Sequence, residues 1–194
     1  MLLLYIASQS SRRKQLLKKM GIPFIVSSSN YHERRIPGLS PEELALKHAR
    51  GKVRKAVTPK KARWVLGADT VVSYRNQILG KPKTRQEAVR MLKMLRGKWH
   101  KVITGLFLYD RKKKVCFEDC AMTHVRMKKL TDVQVKGYLN AINPFDKAGS
   151  YGIQEGPRIV KKILGSYTNV IGLPVEALRR LLRKAAGKSK FSRE

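Results

Sequence analysis

Trp64-Val65-Leu66-Gly67-Ala68-Asp69-Thr70-Val71-Val72 is a nearly unbroken apolar run, and its reading decides the fold. Such a run has the pattern of a strand buried on both faces, as in sheets flanked by helices. Two residues interrupt it. Gly67 lets backbone or a ligand come close. Asp69 puts a carboxylate where burial is costly unless the group is paired, protonated or metal-bound. Upstream, Ser40-Pro41-Glu42-Glu43 is a capping box with proline at the first helical position. The helix it opens spaces Leu44, Ala45, His48, Ala49, Lys52, Val53 and Ala56 by threes and fours, which sets Lys52 on the apolar side. Downstream, Thr84 and Glu87 form another capping box, Ala88, Met91, Leu92 and Leu95 make the stripe of the helix behind it, and Gly97 ends that helix. Trp99 to Tyr109 and Val115 to Val125 then form two strands across the charged turn Asp110 to Lys114.

The ends of the chain continue the alternation. A strand from Leu2 to Ala7 leads through Ser8-Gln9-Ser10-Ser11 into a helix capped by Ser8 or Ser10, with Leu16, Leu17 and Met20 inside and Gly21 at its stop. A short strand follows at Phe24 to Ser28. Thr131 and Gln134 cap a helix carrying Val135, Tyr138, Leu139 and Ile142, which halts before Asn143-Pro144. A glycine-rich stretch from Asp146 to Gly156, a strand from Ile159 to Leu164, and a helix bearing Val175, Leu178, Leu181, Leu182 and Ala185 complete the order. Alternating strands and helices predict an α/β fold. No repeat or long linker divides the chain, so residues 1–186 are expected to form one domain and 187–194 a basic disordered tail.

Bulk composition narrows the classes. Hydrophobic residues make up 42% of the 194, enough for a packed core. No apolar run approaches the roughly 20 residues that span a bilayer. Met1 to Ala7 lacks the basic lead of a signal peptide, and Arg12, Arg13 and Lys14 follow at once, so a buried strand is expected there. Two cysteines fit a reducing, cytoplasmic setting without a disulfide framework. The charge is the outlier: 43 Lys and Arg against 13 Asp and Glu give a formal +30. That field draws polyanions, including nucleic acid, anionic membrane and nucleoside triphosphates. It is spread over the Arg12–Lys19, Arg50–Arg63, Arg111–Lys114 and Arg179–Arg193 segments, the pattern of a solvated surface. The basic runs lack interleaved aromatics, which single-strand binders use for stacking. Nucleic-acid contact is therefore expected to be non-specific.

Three constellations bear on chemistry. In Ala7-Ser8-Gln9-Ser10-Ser11-Arg12-Arg13 a strand ends, hydroxyl residues make the turn, and a helix opens on two arginines. Free N–H groups and the helix dipole favour a phosphate at that spot, and arginine adds bidentate geometry. An ordinary serine cap with exposed arginines is the alternative. Asp69 is either salt-bridged to a lysine or acts as metal ligand or general base. Lys52, Lys81 in Leu79-Gly80-Lys81-Pro82, and Lys147 in Asp146-Lys147-Ala148-Gly149 could each neutralise a phosphate oxygen. Two attractive signals fail. Cys116, Cys120 and His124 recur at four-residue steps, about 13 Å apart on a strand, too far to share a zinc ion. Gly149-Ser150-Tyr151-Gly152 does not lie between a strand and a helix, as a phosphate-binding glycine loop would.

Together these segments resemble the Maf proteins. The resemblance rests on Leu4 to Arg13 with Leu16, Leu17 and Gly21, on Gly67-Ala68-Asp69-Thr70-Val71-Val72, and on Leu79-Gly80-Lys81-Pro82. It extends through Gly97, His100 and Thr104-Gly105, Asp146 to Gln154, and Gly165-Ser166-Tyr167 through Val170 to Pro174, in order over about residues 2–182. It implies a fold similar to the inosine-triphosphate pyrophosphatases: a long twisted mixed sheet, flanking helices, and two lobes around a central cleft. The implied activity is metal-dependent hydrolysis of a nucleoside triphosphate to the monophosphate and pyrophosphate, by a homodimer using Mg²⁺ or Mn²⁺.

Residue by residue, Asp69 matches the family's proton acceptor, and Glu33, with Asp69, the metal-holding carboxylates. Ser8, Arg13, Lys52 and Lys81 match phosphate-side positions. Arg12, Thr70 and Gln154 match positions that distinguish substrate branches, and these residue types resemble the dTTP- and UTP-cleaving branch. Departures are Ser11 in place of a common proline, Gly51 in place of an acidic residue, and His32 in place of an acidic neighbour of Glu33. A nucleic-acid-binding or cell-division regulatory role on the same fold is the other function class.

Overall fold

The computed structural model describes residues 3–75 and 77–187. In chain order the elements are β1 (Leu4–Ile6), α1 (Ser11–Lys19), β2 (Phe24–Val26), α2 (Pro41–Arg54), β3 (Trp64–Tyr74), β4 (Gln77–Leu79) and α3 (Arg85–Leu95). There follow β5 (Trp99–Asp110), β6 (Val115–Met127), α4 (Asp132–Ala141), β7 (Val160–Leu164), α5 (Tyr167–Ile171) and α6 (Val175–Ala185). The strands form one mixed sheet in the order β2-β1-β3-β5-β6-β7, with β4 paired to the end of β3. β1 runs parallel to β2 and β3, whereas β3, β5, β6 and β7 are successively antiparallel. The fold is the mixed α/β sheet with flanking helices that the sequence implied.

β3 is the spine. Its even-numbered residues Leu66 and Ala68 join β1, α1, the later half of β5 and α6 in one core. Farther along, Val72 joins α3, α4 and the opposite halves of β5 and β6 in a second. Long strands shared by two cores make two lobes from one sheet. The odd-numbered face is covered by α2, and two glycines permit it. A Cβ on Gly67 would lie 2.2 Å from the Ala49 carbonyl oxygen, and one on Gly105 would lie 2.6 Å from Ala45 and Leu46 backbone. Gly105 pairs with Asp69 in register, so the helix backbone comes down on the sheet beside that carboxylate.

The expected capping box at Ser40/Glu43 is formed, whereas the one expected at Thr84/Glu87 is only half formed: Thr84 Oγ1 accepts from Glu87 N, but Glu87 Oε2 accepts from Lys83 N instead of Thr84 N. The Thr131/Gln134 cap is a full box, and Ser10 rather than Ser8 caps α1. The structure corrects several boundaries. β2 ends at Val26, while β5 and β6 run on to Asp110 and Met127. The sequence reading missed β4, a three-residue return after Arg75 (φ 47°), and the five-residue α5. Leu2 and the tail from residue 188 onward lie outside the described residues. No helix among the described residues is long and apolar enough to cross a membrane.

Candidate active site

A cleft of about 460 Å³ opens where β1 ends, between α1, the middle of β3 and the glycine-rich stretch before β7. Ser8, Arg12, Arg13, Glu33, Lys52, Asp69, Thr70, Lys81 and Gln154 all line it. The fold thus brings every site residue read from the sequence to one place. Ser27, Ser29, Tyr31, Asp146, Lys147 and Tyr151 line it as well.

The floor is an alternating charge cluster. α2 rests against Gly67 and Gly105, and Lys52 projects from it to meet the odd-numbered face of β3. Lys52 Nζ lies 2.6 Å from Asp69 Oδ1 and 2.7 Å from Glu33 Oε1, and donates to the Ala68 carbonyl at 3.2 Å. Lys81 Nζ donates to Glu33 Oε2 at 3.0 Å. The two anomalies of the sequence, a lysine on an apolar helix face and an aspartate in an apolar strand, are therefore partners. Asp69 is salt-bridged and also lines the cleft, and no described residue hydrogen-bonds its Oδ2. Burial works to raise the Glu33 carboxyl, but Lys52 and Lys81 outweigh it and hold it down at about 2. Glu33 stays ionised at neutral pH.

Two carboxylates bridged by one ammonium are hard oxygen donors. Mg²⁺ commonly takes one or two such carboxylates and completes its shell with substrate phosphates and water. The donor set fits that use, although no cluster of three or more His, Cys, Asp or Glu occurs among the described residues. The departure at Gly51 has a steric basis: a Cβ there would lie 2.2 Å from the Tyr31 ring. The Tyr31 hydroxyl in turn sits 2.9 Å from His48 Nδ1. His32 is exposed.

The opposite wall starts at α1. Ser10 Oγ accepts from Arg13 N, and among the described residues the N–H groups of Ser11 and Arg12 have no acceptor. Such groups at a helix start favour an anion. Arg13 is buried, and its guanidinium is engaged: Nε donates to Gly172 O at 2.7 Å, NH1 to Ser8 Oγ at 3.1 Å, and NH2 to Thr70 Oγ1 at 3.0 Å. Thr70 shares its hydroxyl with Thr104 at 2.9 Å. Desolvation depresses the Arg13 pKa, opposed by Asp69 and Glu33 across the cleft.

Arg12 belongs to a second cluster that the sequence did not reveal. Its NH1 meets Asp146 Oδ2 at 2.9 Å and Glu155 Oε1 at 3.1 Å, while Lys147 Nζ meets Asp146 Oδ1 at 2.6 Å and Glu155 Oε2 at 2.8 Å. This closed ring of two cations and two anions ties α1 to the 143–156 loop. Gln154 precedes Glu155 in that loop, lines the cleft, and has no hydrogen bond to the described residues through its amide. Glu155 carried one usable signal, an acidic residue beside a candidate in a chain with few acids. Cys116, Cys120 and His124 lie along β6 and form no metal cluster.

The profile of the family described as Maf-like protein matches residues 3–185. Among known relatives, the dTTP/UTP pyrophosphatase of Geobacter sp. (strain M21) is 44% identical over 179 residues, covering 90% of this chain and 93% of the relative. The dTTP/UTP pyrophosphatase of Acetivibrio thermocellus is 43% identical over 191 residues, covering 94% and 95%. That of Methanosarcina barkeri is 41% identical over 182 residues, covering 93% and 92%.

Proposed function

The chain belongs to the Maf family, and on that footing we propose that its cleft hydrolyses dTTP and UTP to the nucleoside monophosphate and pyrophosphate. The observation that carries the reading is the Glu33–Lys52–Asp69–Lys81 cluster facing the open start of α1 across one cleft. A triphosphate needs cations and N–H donors on its non-bridging oxygens and a carboxylate to orient the attacking water.

In this reading the α1 N–H groups, with Lys52 and Lys81, hold the triphosphate. Both lysines exchange a carboxylate partner for a phosphate oxygen. Arg13, committed to Ser8, Thr70 and Gly172, keeps the turn and strand in register and places its positive charge behind the anion. Asp69 Oδ2 accepts a hydrogen bond from the water that attacks the α-phosphate in line, and pyrophosphate leaves. Glu33 and Asp69 would hold a divalent cation, Mg²⁺ or Mn²⁺, whose contribution when bound is to draw charge from the α-phosphate oxygens. Gln154 offers both a donor and an acceptor, which match the O4 and N3–H edge of uracil or thymine. The unit doing this work is residues 1–186.

Hydrolysis of UTP in heavy-oxygen water tests the reading. Attack at the α-phosphate puts the label in UMP and leaves pyrophosphate unlabelled. Label in pyrophosphate would move the attack to the β-phosphate, and absence of both products would remove the activity.

A further inference from the structure

The proposed hydrolysis does not account for the charge of +30, and the sheet carries a surface that bears on it. Past the N-terminal end of α2, the same face of the sheet that holds Asp69 is left uncovered on β5, β6 and β7. Register places Trp99, Arg126 and Lys162 side by side in one row, and Lys101, His124 and Leu164 in the next. Trp99 is 37% exposed, Met122 40% and Leu164 50%, while Lys101, His124 and Lys162 are exposed. The Arg126 guanidinium lies 5.9 Å from the Trp99 ring centroid. On the reverse side Val102, Val125 and Met127 are packed under α3 and α4, so the platform is held rigid from behind.

We infer that this face binds single-stranded nucleic acid without sequence selectivity. The occupant follows from charge and shape. Lys101, Arg126 and Lys162 form no ion pair among the described residues. The acid that shares this face of β6, Glu118, is paired with Arg50 at 2.6 Å and lies six residues from His124, roughly 20 Å along the strand. A flat sheet with an exposed aromatic and flanking cations is how proteins stack unpaired bases while holding their phosphates. A duplex hides its bases, so it would use the cations and leave Trp99 idle. A second copy of the chain, docked face to face, would set Lys101, Arg126 and Lys162 against their own kind. The aromatic–basic interleaving that the basic runs lack along the chain exists here across strands. Lys101 pairs with Ser73 and Asp69 with Gly105, so the platform lies about 13 Å along the sheet from the cleft. None of the platform residues lines the cleft.

The test uses fluorescence anisotropy with labelled mixed-sequence DNA and RNA strands of about 12 nucleotides, within the span of single-strand sites. Trp99→Ala should weaken single-strand binding about tenfold, the scale of one lost stacking contact, and Trp99→Phe should restore most of it. The double change Arg126→Gln with Lys162→Gln should lower the salt slope by about 1.4, at roughly 0.7 per lost phosphate contact. All variants should keep UTP hydrolysis at an assay temperature below their melting points, and Trp99→Phe and the double glutamine variant should melt close to wild type. The inference is overturned if Trp99→Ala binds single strands as wild type does, or if a duplex binds as tightly as a single strand. Trp99-dependent binding to phosphatidylserine vesicles without oligonucleotide binding, or a dimer that Leu164→Asp dissolves, would also overturn it.

Discussion

Asp69→Asn and Lys52→Met remove the two ends of one ion pair and should have unequal consequences. Lys52 Nζ is 2.6 Å from Asp69 Oδ1, 2.7 Å from Glu33 Oε1 and 3.2 Å from the Ala68 carbonyl oxygen. When Asp69 becomes asparagine, the ammonium keeps Glu33 and the carbonyl, and the amide oxygen still accepts. The loss is an ion pair reduced to a hydrogen bond from the ammonium to a neutral amide oxygen, about 1 kcal/mol. When Lys52 becomes methionine, Asp69, only 4% exposed, loses its sole side-chain partner among the described residues and faces Glu33 without a cation between them. Removing one member of a buried pair costs about 3–5 kcal/mol. At about 2–4 °C per kcal/mol for a chain of this size, Asp69→Asn should melt about 3 °C lower and Lys52→Met about 10 °C lower. Turnover of UTP should nevertheless fall at least about a hundredfold in Asp69→Asn. Scanning calorimetry and pyrophosphate release read the two quantities separately. A Lys52→Met protein that melts with wild type, or an Asp69→Asn protein that fails to fold, would show that Lys52 is not what neutralises the buried Asp69.

Three further outcomes follow from other contacts. Gly67→Ala would drive a Cβ to 2.2 Å from the Ala49 carbonyl oxygen. Backbone must move, so stability should drop by about 3 kcal/mol and hydrolysis should fall as Lys52 shifts; a urea midpoint equal to wild type would contradict the helix–sheet approach. Burial holds the His100 imidazole down at about 4, while the unfolded chain takes up its proton near 6.5. The stability this neutral ring preserves is whole above pH 6.5 and is lost as pH falls to 4, about 3 kcal/mol in all. Urea melts at about pH 7 and pH 4.5 should therefore show a shallower acid loss in His100→Gln, and identical losses would count against the buried neutral ring. Glu155→Gln opens the ring that ties Arg12 to the loop carrying Gln154. The UTP-over-ATP ratio of kcat/KM should fall about fivefold, the worth of one partly exposed pair, with a smaller change in kcat for UTP, and Glu155→Asp should recover part of it.

Much of the fold was legible because its signals are local. The capping boxes at Ser40 and Thr131 and the apolar run at 64–72 specify their elements without help from distant residues. β4 and α5 were not legible, since three and five residues carry too little periodicity to stand out. Asp69 and Lys52 were visible as separate oddities, but nothing in sequence joins position 52 to position 69. The joining depends on Gly67 and Gly105 letting α2 touch the sheet, a tertiary fact. Glu33 sits in an irregular segment and was reachable only through family resemblance. The ring of Arg12, Asp146, Lys147 and Glu155 closes over more than 130 residues of chain, and the Trp99 platform is assembled by strand register. Neither leaves a pattern along a single segment.

Cleavage, at the α-phosphate, of pyrimidine triphosphates that present the O4 and N3–H edge is the activity proposed for the cleft. Its most direct test is competition: UTP, dTTP, ATP, GTP and 7-methyl-GTP at equal concentration, with a divalent cation present and the monophosphate products separated and counted. UMP and dTMP should dominate, and Gln154→Ala should erode that preference more than it slows UTP turnover, because a site built on hydrogen bonds rejects bases that leave its polar groups unmatched. Predominance of 7-methyl-GMP or a purine monophosphate would contradict the account.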